Sequence, residues 1–317
     1  MTESTAEADH RRVAELLGRE PLGAYTIVVR DRTGDPVVIE NAPLLDDGTP
    51  MPTGHWLVGH RAVLAVSRLE ADGGVDEAEA SVDAAALAAT HAEYSRRRDA
   101  LIPSGANGPL PSGGVAGTRT GVKCLHAHYA WYLAGGDDPV GRWVHDRLTS
   151  RLGIRVEIDA HETRLTAEHP IDPAAVAIPV GAENGWNDHL ATSASSAGRV
   201  DPADLTHLIG LVTDAVDEFA LLNPDRVNTG RPLALEGPNS VLLARLETGD
   251  EAATTVDLDR ATVEELFRLL ATDDRAGRAS NPGLRENEAD SVLAVTCITA
   301  ALTRTLDPSR CSIGAAR

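Results

Sequence analysis

Residues 154–181 read IRVEIDAHETRLTAEHPIDPAAVAIPVG, and their rhythm decides the fold class of the second half of the chain. Ile154, Val156 and Ile158 alternate with Arg155 and Glu157, the period-two pattern of a half-buried strand. ETRLTAEH (162–169) and AVAIPVG (175–181) follow after short turns, so three successive strands are expected. DPADLTHLIGLVTDAVDEFALL (201–222) then reads as a helix, with Asp201 as N-cap and Pro202 at its first position. PLALE (232–236) is a short apolar strand entering a turn at Gly237-Pro238, with a helix over 239–247. Further helices are expected over 261–271 and 287–306. The order βββαβα predicts an α/β lobe with a mixed sheet over residues 151–308, followed by a tail at 309–317.

The first half has a different grammar. Residues 3–18 read as an amphipathic helix. GAYTIVVR (23–30) and PVVIE (36–40) flank a turn at Gly34 and predict a β-hairpin. NAPLLDDGTPMPTGHW (41–56) is expected to be a loop without regular structure. Apolar spacing predicts a helix over 61–71 and one long helix over 75–102, whose Arg96-Arg97-Arg98 end complements the helix dipole. A Gly/Pro-rich loop (103–121) leads to helices at 122–136 and 139–153. Residues 1–150 therefore form an expected α+β domain, a β-hairpin plus helices, with no internal repeat linking the halves.

The 317 residues carry a net charge of −19, and acids exceed bases in both halves. A nucleic acid would meet a repulsive field, so none is expected as a partner. No apolar run reaches the length of a membrane span, and the N-terminus lacks a signal pattern. Three distant cysteines argue against a disulfide framework. A cytoplasmic protein without membrane contact is the expectation. Lys123 is the only lysine among 29 basic residues.

GTRTGVK (117–123) runs from the Gly-rich loop into a helix. Thr118, Arg119, Thr120, Gly121 and Lys123 converge where a helix N-terminus is electropositive, a place for a small phosphate-type anion. Next come Cys124, His126 and His128. On a helix Cys124 and His128 share a face while His126 points elsewhere. A zinc site needs three or four ligands, and a Cys–His nucleophile needs an orienting acid. The sequence identifies neither, so no metal and no cofactor are expected, and these three residues are at most site-lining.

Two resemblances add to this reading. VVRDRTGDPVVIENAPLLDDGTPMPT (28–53), SRLEADGGV (67–75) and above all SGGVAGTRTGVKCLHAHYAWYLAGGDDPVGRWV (112–144) resemble the mainly actinobacterial domain-of-unknown-function family 501, over about residues 11–148. That resemblance implies no chemistry. Residues 153–306 resemble the second lobe of the exopolyphosphatase/guanosine-pentaphosphatase (Ppx/GppA) family through IPVGAENGWNDHL (178–190), LALEGPNSVLLARL (233–246) and the closing helices. The resemblance implies a single actin-like lobe.

The departures from that family fall where phosphate would bind. Its loop reads D-I-G-G-G-S-T-E, whose glycines let backbone N–H groups reach phosphate. Here Glu157, Asp159, His161 and Glu162 stand in a loop stripped of glycine. Two carboxylates a few ångströms apart in such a cleft repel by roughly 4 kcal/mol at an effective dielectric near 20. Pro238 removes a donor from the second turn, and Glu288 replaces an arginine of the closing helix. The resemblance thus implies a non-catalytic lobe serving structure, self-association or partner binding, and the residues of GTRTGVK (117–123) add the expectation that the domain fused to it binds a small anion. The rival expectation is an enzyme, either a related phosphohydrolase or one using GTRTGVKCLHAH (117–128).

Overall fold

The computed structural model describes residues 4–149, 152–224, 226–227 and 230–314. Its contacts divide the chain into two compact units. Unit 1 comprises Met1–Arg151 with Pro170–Asp172, and unit 2 comprises Leu152–His169 with Pro173–Arg317. The expected helix start at residue 3, residues 150–151 of the helix expected over 139–153 and residues 315–317 of the expected tail lie outside the described residues, and residues 152–153 are not helical.

Unit 1 opens with α1 (Thr5–Leu17), started by a reciprocal capping box between Ser4 and Glu7 and stopped by Gly18 in the left-handed conformation. β1 (Tyr25–Arg30) and β2 (Pro36–Asn41) form the expected hairpin, and β3 (His55–Leu57) adds a third antiparallel strand. The loop reading of 41–56 overlooked β3. Its Pro- and Gly-rich approach hid a three-residue strand that β2, buried at nearly every position, supplies with an edge. α2 (His60–Ala71) follows. The single long helix expected at 75–102 is two, α3 (Gly74–Ser81) and α4 (Ala84–Ala100). Asp83 breaks it by taking the N-cap of α4, its side chain accepting from Ala86 N–H at 2.8 Å. α5 (Leu125–Leu133) and α6 (Pro139–Thr149) pack on each other and close the core around Leu125, Tyr129, Val140 and Val144. In the tripeptide, Asp172 pairs with Arg32 at 3.0 Å.

Unit 2 contains the three expected strands, β4 (Ile154–Ile158), β5 (Thr163–Ala167) and β6 (Ala174–Ile178), antiparallel in sequence order. A helical turn, α7 (Ala182–Asn184), runs into a π-helical segment at Gly185–Leu190. α8 (Pro202–Leu222) starts as read, with Asp201 accepting from Ala203 N–H. β7 (Leu233–Glu236) lies parallel to β4, followed by α9 (Val241–Thr248), β8 (Val256–Leu258), α10 (Arg260–Thr272), α11 (Arg275–Ala279), α12 (Ser291–Leu306) and β9 (Cys311–Ile313).

The sheet order is β6-β5-β4-β7-β9-β8, a mixed six-stranded sheet that contains the expected βββαβα succession. β9 corrects the expectation of a tail. Cys311–Ile313 is an inner strand, parallel to β7 on one side and antiparallel to β8 on the other. Three residues give too short a pattern to stand out by periodicity. α12 is buried along almost its whole length, packed against α8 and α10, and Val292, Leu293, Val295, Ile298 and Leu302 join the core.

Candidate functional site

The GTRTGVK segment does not run directly into a helix. α5 starts at Leu125, with Cys124 as its N-cap in extended conformation (φ −157°), so Lys123 precedes the helix. Two backbone donors that an anion would use already have partners. Val122 N–H donates to Glu79 Oε2 at 2.7 Å, and Leu125 N–H donates to Glu70 Oε1 at 2.6 Å. These carboxylates fill the electropositive end of the helix as an external anion would. Gly121 (φ +68°) sits so close beneath Glu79 that a Cβ would come within 2.8 Å of Oε2. The Thr118 hydroxyl donates to Thr120 O at 2.7 Å, while Arg119, Thr120 and Lys123 lie exposed.

His91 fixes the loop. Its Nδ1 accepts from Val115 N–H and its Nε2 lies 3.1 Å from Gly121 O, which requires a neutral ring. Burial, the main cause, pushes its pKa below the ordinary value.

Cys124, His126 and His128 separate into two environments. The expectation that Cys124 and His128 share a helical face fails because Cys124 lies outside the helix. His128 is fully buried and its Nδ1 lies 2.7 Å from Asp138 Oδ2. Asp138 Oδ1 in turn accepts from Val140 and Gly141 N–H at the start of α6. This pair ties α5 to α6, and removing one partner of such a buried pair costs about 3–5 kcal/mol.

His126 instead meets Cys124. Cys124 Sγ lies 3.9 Å from His126 Nδ1, and Glu70 Oε1 lies 3.2 Å from the same nitrogen. The ligand atoms of Glu70, Cys124 and His126 all fall within 4.8 Å of one another, the one such grouping of three among the described residues. His126 Nε2 faces Val63 O at 3.2 Å and Ser67 Oγ at 3.1 Å. Burial would lower the His126 pKa, but the Cys124 sulfur and the Glu70 carboxylate outweigh it and raise it to about 9. The site therefore favours positive charge. Glu70 is the acid the sequence reading missed. It sits in the last turn of α2, remote in sequence from Cys124, and nothing in its local pattern distinguishes it from a surface glutamate.

In unit 2, Glu157, Asp159, His161 and Glu162 lie on and after β4, on the turn that the resemblance assigns to phosphate. Its carbonyls accept from neighbours: Asp159 O from Ala182 N–H at 2.8 Å, Ala160 O from Glu183 N–H at 2.8 Å, and His161 O from Asn184 Nδ2 at 2.9 Å. Gly181 packs so tightly on the turn that a Cβ would lie 2.4 Å from Asp159 O. Asn239, from the second turn, donates to Ile158 O at 3.0 Å. Glu162 pairs with Arg164, and Glu157 is exposed. Glu288 pairs with Arg245 at 3.1 Å and accepts from Arg285 N–H, so it has a local structural role.

These elements define a chain in which an α+β unit precedes an α/β lobe with a mixed six-stranded sheet. Residues 27–146 match the model of a family described as a protein of unknown function, DUF501. Among solved structures, the chain is similar to the type II variant of the Aquifex aeolicus Ppx/GppA phosphatase, with 10% identity over 51% of this chain and 53% of that one, at a TM-score of 0.43. It is also similar to an exopolyphosphatase from Cytophaga hutchinsonii, with 12% identity over 52% and 53% of the two chains and a TM-score of 0.42. The chain spans about half the length of these structures. No curated relative matches it.

Proposed function

We propose that this protein acts by binding and not by phosphohydrolysis, with unit 2 a pseudo-phosphatase lobe that serves structure or partner binding and unit 1 the bearer of the ligand site. The observation that carries this reading is the packing of Gly181–Asn184 on the turn between β4 and β5. A phosphate loop presents free backbone N–H groups to oxygen atoms. Here Gly181 and the helical turn after it press on the turn, and the side chains around it include Glu157, Asp159 and Glu162. Pro238 lacks an N–H, and Asn239 donates inward to Ile158 O. The Glu70, Cys124 and His126 grouping, the one such set of three among the described residues, gives unit 1 a ligand-binding donor set.

The test is turnover. The full chain, incubated with Mg²⁺ and either polyphosphate or guanosine pentaphosphate, is expected to release no phosphate above the buffer control. Release that scales with protein concentration and falls on Asp159→Ala would overturn the reading.

A further inference from the structure

We propose that Glu70, Cys124 and His126 form a three-ligand site for a zinc-class divalent cation, leaving a fourth position for water or an exogenous ligand. This deepens the reading that unit 1 bears the ligand site, and it stands or falls apart from the fate of the phosphate turn in unit 2.

The first argument is spacing. With Zn–S near 2.3 Å and Zn–N and Zn–O near 2.0–2.2 Å, a tetrahedral centre needs S···N and N···O edges of roughly 3.3–3.6 Å. The observed separations are 3.9 Å between Cys124 Sγ and His126 Nδ1, and 3.2 Å between His126 Nδ1 and Glu70 Oε1. Side-chain shifts of a few tenths of an ångström reconcile the two sets.

The second argument is independent of the three ligand atoms. A metal-bound imidazole almost always donates its other N–H to a carbonyl, carboxylate or water, which fixes ring orientation and leaves the ligating nitrogen unprotonated. His126 Nε2 has such an acceptor in Val63 O at 3.2 Å, with Ser67 Oγ also in reach. Donation there leaves Nδ1 as the nitrogen that faces Cys124 and Glu70, and an ion bound at it displaces the Nδ1 proton. Glu70 is oriented as well, because its Oε1 accepts from Leu125 N–H.

Ligand chemistry selects the ion. Thiolate and imidazole together favour zinc over magnesium or calcium, which prefer all-oxygen shells. Three protein ligands with one open position is the arrangement of reactive zinc sites, whereas purely structural sites are closed by four. All three residues are only part-buried, so an ion and a fourth ligand have access. Cys297 and Cys311 do not compete, since both are buried and their thiols are pushed up to about 12 by burial.

The experiment uses the full chain, stripped with chelator and titrated with Co²⁺. The expected result is one Co²⁺ per chain, a near-ultraviolet thiolate-to-cobalt charge-transfer band, and loss of that band when Zn²⁺ displaces the cobalt. Cys124→Ser removes the band, and Glu70→Gln, which keeps the thiolate, weakens binding roughly tenfold or more. Circular dichroism confirms that each variant is folded, and the wild-type band decides the matter if one is not. Absence of a thiolate band in the wild type overturns the proposal, as does a band that survives Cys124→Ser. Rapid alkylation of Cys124 that depends on His126 and is unaffected by Zn²⁺ also overturns it, and assigns the pair to a free nucleophile.

Discussion

At the scale of single residues, the buried histidines of unit 1 do different work. His55 is 6% exposed, and burial, helped by the nearby positive charge of Arg97, lowers its pKa to about 4. The neutral ring is therefore favoured in the folded chain, while an unfolded histidine titrates near 6.5. Its contribution to stability is complete above about pH 6.5 and is lost as pH falls toward 4, because the unfolded state then binds the proton that the folded state refuses. Between pH 7 and pH 5 the loss is on the order of 2 kcal/mol. Three of the four tryptophans, Trp56, Trp131 and Trp143, lie in unit 1, so denaturation followed by fluorescence reports on it. The pH 7 to pH 5 loss should shrink in His55→Asn, and an equal loss in wild type and variant would show that another group is responsible. The sequence exposed Cys124, His126 and His128 as chemistry-bearing residues because they cluster within five positions. It could not expose their partners. Glu70 and Asp138 reach them through the packing of α2 and α6 against α5, and the break before Leu125 decides which histidine Cys124 meets.

At the scale of elements, long and strongly patterned segments were legible. The hairpin, β4 to β6, α8 with its Asp201 cap, and α12 all follow from periodicity and capping. Short strands were not. β3 and β9 have three residues each and are specified by the strands they join, through long-range hydrogen bonds that local pattern does not encode. β9 makes the larger demand on the fold. Leu233 N–H donates to Arg310 O, Gly314 N–H donates to Leu235 O, and Arg310 and Ser312 both bond Asp257 on β8. A chain ended at residue 308 should therefore lose the cooperative melting transition of unit 2 and expose the edge of β7, a site for aggregation. Size-exclusion chromatography and a thermal melt check this. A monodisperse truncated chain with the wild-type transition would contradict the placement of β9 inside the sheet. The split of α3 from α4 has the same origin as the strand misses: Asp83 is an ordinary helix residue by composition, and its role as a cap appears only when the helix turns there.

At the scale of the whole molecule, charge and closure point the same way. The chain carries a net charge of −19, and among the described residues no helix is long and apolar enough to cross a membrane. Each unit also sets its own groups against the segment that the sequence reading weighed as an anion site, accepted in unit 1 and rejected in unit 2. In unit 1, Glu79 and Glu70 take the Val122 and Leu125 amides; in unit 2, Gly181–Asn184 and Asn239 engage the turn after β4. Arg119 and Lys123 remain exposed, while the carboxylates of Glu70 and Glu79 occupy backbone amides of the same segment. The most direct measurement is the melting temperature of the full chain with pyrophosphate or polyphosphate at constant ionic strength, alongside the Arg119→Ala, Lys123→Ala double variant. The account predicts no saturable rise in either protein. A saturable rise of several degrees in the wild type would contradict it, locating an anion site in unit 1 if the double variant abolishes the rise and in unit 2 if it does not.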